Sequence, residues 1–67
     1  MSVKEKIELF LKQDFSEESI EQFRELIKER MREMICLVDY GFLTKEEYIE
    51  IHEILIKGYR DITGQAY

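Results

Sequence analysis

Apolar residues recur at helical spacing from one end of this chain to the other, with polar residues filling the positions between them. Val3, Ile7, Phe10 and Leu11 fall at the i, i+4, i+7 and i+8 positions of one helical face. They predict a short first helix over about residues 3–12, with Ser2 as N-cap and Glu5 completing a capping box. A helix of that length must dock against something to persist in water.

The second pattern is longer. Ile20, Phe23, Ile27, Met31, Met34 and Val38 form one stripe, which at 100° per residue occupies an arc of roughly 80°. Leu26, Ile35 and Leu37 widen it, and Glu21, Glu25, Lys28, Glu29, Arg32 and Asp39 hold the far side. The expected helix runs over about residues 17–40 and is capped by Ser16. Phe15 and Ile20 are placed as its hydrophobic staple, and Glu17 and Glu18 at the positive end of its dipole. Gly41 is expected to end it as a left-handed cap, after which Phe42 can touch Leu37 as in a Schellman motif.

The third helix restarts almost at once. Thr44 and Glu47 make a capping box, Leu43 and Tyr48 a staple, and Gly64 a stop, giving a predicted span of about 45–62. Lys57 and Arg60 stand near its negative end, where cations belong. The chain has no proline, and so short a connection favours a tight helical hairpin. The expected architecture is therefore all-α: a three-helix bundle built on a long antiparallel hairpin, with the short N-terminal helix packed across it. There are no repeats or linkers, so residues 1–67 read as one domain.

The third helix is apolar over an unusual width. Tyr48, Ile51, Leu55, Tyr59 and Ile62 make an ordinary core stripe, Ile49 and Ile56 add a second flank, and Ile54 adds a third. Together they cover roughly 220° of the wheel, about twice what one neighbouring helix requires. Either the first helix folds back over the second flank, or that surface meets another molecule. The width favours the second reading. Because most soluble oligomers are two-fold homodimers, the expected first partner is a second copy, in an antiparallel or crossed four-helix arrangement. The candidate interface is Tyr48, Ile49, His52, Ile56 and Tyr59 on the third helix, with Met34, Ile35 and Val38 on the second.

Size and charge sharpen this picture. A 67-residue chain buries only about 60% of its unfolded surface, and natural domains this small usually add a disulfide, a metal or a partner. Cys36 is the only cysteine and His52 the only histidine, so neither an internal disulfide nor a zinc site is expected, and no cofactor is implied. Fifteen acidic against 10 basic residues, a formal charge of −5, disfavours nucleic-acid backbones and anionic membranes. The same charge suits a basic protein partner, including the basic surface of a DNA-binding protein. No apolar run approaches the roughly 20 residues of a membrane span. The opening Met1-Ser2-Val3-Lys4-Glu5-Lys6 leads into an amphipathic segment, and with a free thiol it points to the cytoplasm.

Residues that could carry chemistry find no companions. A Glu-x-x-His metal pair would need glutamate three residues before His52, where Ile49 stands; His52 reads as a half-buried or interface histidine. Cys36 lies near a helix C-terminus, without the base or helix N-terminus that a catalytic thiol needs, and it reads as solvent-facing or as a partner contact. Met31 and Met34, at i, i+3 spacing, read as core. Nucleophile–base signatures and phosphate-binding loops are missing, so the chain is not expected to be an enzyme. The rival class is a helix-turn-helix nucleic-acid binder with the third helix as reader. Its leading turns set Glu46, Glu47, Glu50 and Glu53 against Lys45 alone, the wrong sign for phosphates.

The segment Gly41-Phe42-Leu43-Thr44-Lys45-Glu46-Glu47-Tyr48 resembles the turn of the helical-hairpin modules called SHOCT domains. In those, a Gly-hydrophobic-Thr/Ser-x-Glu-Glu-aromatic turn joins two helices. The resemblance implies an association module without catalytic residues. The expected function is a small non-enzymatic protein–protein interaction module that regulates or scaffolds a partner protein.

Overall fold

The computed structural model describes residues 2–67 as three helices, with no strand among them. The helices are α1 (Val3–Leu11), α2 (Ile20–Asp39) and α3 (Lys45–Thr63), and α2 and α3 form the expected antiparallel hairpin. Local chemistry explains most boundaries. Ser2 Oγ accepts the Glu5 N–H at 3.2 Å. Thr44 and Glu47 bond each other's backbone N–H groups, both at 3.1 Å. At the hairpin turn, Gly41 takes φ +81° and donates to Val38 O, while Phe42 N–H reaches back to Leu37 O at 2.9 Å. That bond pair is a Schellman ending, and its left-handed residue suits glycine because a Cβ there is strained. Gly64, at φ +72°, ends α3 by donating to Arg60 O.

The start of α2 departs from expectation. Its N-cap is Ser19, in a reciprocal capping box with Gln22, so the helix begins three residues later than a Ser16 cap implies. Ser16 instead closes a local turn, its N–H donating to Asp14 Oδ1, and that bond holds the Asp14 carboxyl below its ordinary range. A Ser-x-x-Gln box competes well with a lone serine followed by acids, because it satisfies a second orphan N–H. Phe15, freed from the staple, packs between Phe10 and Phe23 at centroid distances of 5.4 and 4.5 Å. The Phe42 ring does not close over Leu37; it stays 76% exposed, and neighbouring Leu43 is buried in its place.

Ile7, Phe23, Ile27, Met34, Leu43, Ile51, Leu55 and Tyr59 form the buried core, with no buried polar residue among those described. An aromatic chain threads it. Phe23 stacks on Tyr59 with planes 4° apart, and Tyr67 caps Tyr59 edge-on at 5.2 Å beneath the Arg24 guanidinium. Ile62, expected in the core stripe, is 44% exposed because only the first turn of α2 stands opposite it.

The position of α1 rests on a glycine. A Cβ at Gly58 would lie 2.7 Å from both methyls of Leu11, so α1 packs on α3 where α3 has no side chain. Lys4 reaches Glu50 at 2.6 Å and ties down the start of α1. The Glu50 hydrogen bond and charge raise the Lys4 pKa. Its contribution is therefore complete below the ordinary lysine range and is lost as pH climbs through the raised value. On the α2 side, Arg30 lies 5.4 Å from the centroid of Phe10 while forming an ion pair with Glu33 at 3.0 Å.

Gly58→Ala tests this packing. Alanine gains about 1 kcal/mol of helix propensity, but forcing Leu11 aside costs about 1–3 kcal/mol. We expect urea denaturation to show a net loss of about 1 kcal/mol. A gain of similar size would mean that α1 does not depend on this contact.

Candidate protein interface

Because α2 and α3 are antiparallel, their hairpin has two broad faces, and α1 occupies one. The groove beside α1 is lined on α2 by Arg30, Glu33, Met34, Leu37 and Tyr40. On α3, α1 meets Glu50, Ile54 and Gly58. Counted at 100° per residue, the opposite face displays Met31, Ile35 and Val38 of α2 and Tyr48, Ile49, His52 and Ile56 of α3. None of these seven lines the seam with α1. Thus α1 covers the Ile54 flank, and the Ile49–Ile56 flank stays bare.

Six of the eight expected interface residues share this face, and two do not. Ile49 is 58% exposed and Ile35 46%, with Val38, Tyr48, His52 and Ile56 half-buried between or beside them. Met34 and Tyr59 are corrections: at 6% and 2% exposure they belong to the core, and the folded domain cannot offer them to a partner. Both sit on the inner edge of stripes whose outer edge is exposed. A helical wheel shows the stripe but not which edge the neighbour covers. Met31, read as core, is half-buried and packs against the core from the edge of the bare face.

His52 stacks obliquely on Tyr48, with centroids 5.9 Å apart, and lines a shallow depression with Glu53, Ile56, Lys57 and Arg60. Cys36 is exposed and borders the groove beside α1. Among the described residues no three His, Cys, Asp or Glu side chains converge as metal ligands would. No helix of the described chain is long and apolar enough to cross a membrane.

Sequence reasoning missed Tyr40 and Phe42, which are 78% and 76% exposed at the tip of the hairpin. The signal was present, since aromatic residues on both sides of a left-handed glycine have little helix to pack against. Comparison with protein families, with curated proteins and with solved structures finds no match for this chain.

The division between core and face is measurable. Met34→Ala should destabilise the fold by about 2–5 kcal/mol in urea. Ile49→Ala should change the stability of dilute protein by about 0.5 kcal/mol or less. Equal costs would contradict the assignment of Ile49 to an open face.

Proposed function

We propose that this chain is a non-enzymatic protein–protein interaction module whose working surface is the bare face of the α2–α3 hairpin. A second copy is its first partner, and the resulting homodimer regulates or scaffolds another protein. The observation that carries this reading is the exposure of Ile35 and Ile49 on the side of the hairpin that α1 does not reach. An apolar strip rimmed by charge is how association surfaces differ from scattered surface leucines and isoleucines. Small size supports it, because self-association buries area that a chain of 67 residues cannot bury alone. The acidic surface, with a formal charge of −5, favours a basic protein as the further partner.

Sedimentation velocity on the native chain at tens of micromolar should give a dimer. Ile35→Glu combined with Ile49→Glu should give a monomer whose helical circular dichroism is retained. A native chain that sediments as a monomer at several hundred micromolar, with its helices intact, would overturn the self-association.

A further inference from the structure

We infer how the second copy is seated: by a twofold axis running along the hairpin, so that α2 of each copy packs antiparallel against α3 of the other. This rests on the self-association proposed above, and its support is independent of it. It comes from the order of charges along the two edges of the bare face.

The Phe23–Tyr59 stack and the turn at Gly41 fix which residues of α2 and α3 stand at one height. At 1.5 Å rise per residue, Glu21 of α2 is level with Arg60 of α3. Lys28 and Arg32 bracket the height of Glu53, and Asp39 stands near that of Lys45. Arg24 falls on this side of α2 as well but is engaged over the Tyr67 ring; the signs of the other α2 edge charges run minus, plus, minus from the open end to the turn. Along the α3 edge they run plus, minus, plus. Each level is complementary, yet within one chain the two edges lie on opposite sides of the hairpin. Among the described residues Glu21, Arg32, Asp39, Lys45, Glu53 and Arg60 have no ion-pair partner, and Lys28 has only a 3.4 Å contact to Glu25 on its own helix. Glu25 and Glu46 point most directly away from the core and stand outside this pattern.

Two self-complementary seatings are available to a face of this kind. An axis along the helices lays α2 on the partner's α3 and brings each minus of this set opposite a plus. An axis across the helices lays α2 on the partner's α2 and α3 on the partner's α3. With its centre near Met31, that second seating opposes Glu21 to Asp39, Lys28 to Arg32, Lys45 to Arg60 and Glu53 to itself, like on like throughout. Such juxtapositions decide register and orientation even where they add little to affinity. The seating along the helices also gives every helix antiparallel neighbours, as in up-and-down four-helix bundles. It places both Tyr40–Phe42 tips at the same end of the dimer.

Sedimentation equilibrium at low ionic strength tests the charge pattern. Glu53→Lys, and separately Lys28→Glu with Arg32→Glu, should each raise the dimer dissociation constant about tenfold. The three together should return it to within about threefold of native. Glu53→Gln discriminates by sign: it weakens this dimer and tightens one with the crosswise axis. A spin label at Phe42→Cys in a Cys36→Ser background reads the geometry directly. Tips at the same end should give a distance under about 25 Å, two or three helix spacings. Opposite ends would separate the labels by something near the 34 Å length of the chain. A dimer with distant tips, or one that tightens with Glu53→Gln, overturns this seating and leaves self-association standing. A native chain that stays monomeric overturns both.

Discussion

A two-helix hairpin has two broad faces, and this chain has one further helix of nine residues with which to cover them. That mismatch governs the molecule. The α2–α3 seam buries what any antiparallel pair can bury, and α1 shields one face by settling on Gly58 and bridging to Arg30 and Glu50. The remaining face keeps the apolar side chains that a fourth helix would otherwise cover. In the proposed dimer, two copies supply the missing helices to each other.

Where α1 goes is decided by small features. Gly58 opens a notch on α3 that admits Leu11, and Phe15 extends the Phe10 contact down to Phe23 and Tyr59. A glycine inside a helix costs about 1 kcal/mol relative to alanine, so its presence is explained by what it lets approach. Had α1 settled on the Ile49–Ile56 side, the apolar strip would be core and the groove by Leu37 and Tyr40 would be bare. Function, on this account, follows from the side that α1 chooses.

The helices were legible in the sequence because three independent signals coincided: apolar period, caps and left-handed glycines. Ser19 was not, because two serines precede the α2 pattern and only one has glutamine three residues later; the acids after Ser16 drew the boundary too early. Tyr67 was missed since it lies beyond any periodic segment and is held by Tyr59 and Arg24, contacts distant in sequence. For the interface, a wheel identified a wide stripe correctly but could not rank its edges, which is why Met34 and Tyr59 were grouped with Ile35 and Ile49. The charge order along the two edges was in the sequence all along; it acquires meaning only once the hairpin register sets the heights.

The central claim is that the bare face, and not the groove beside α1, is where two copies meet. Isotope-filtered nuclear Overhauser spectroscopy on a mixture of labelled and unlabelled chains reads this at single methyl groups. The account predicts intermolecular contacts between Ile35 of one copy and Ile49 or Ile56 of the other. Intermolecular contacts at Phe10, Leu37 and Tyr40, with none from Ile35 or Ile49, would contradict it.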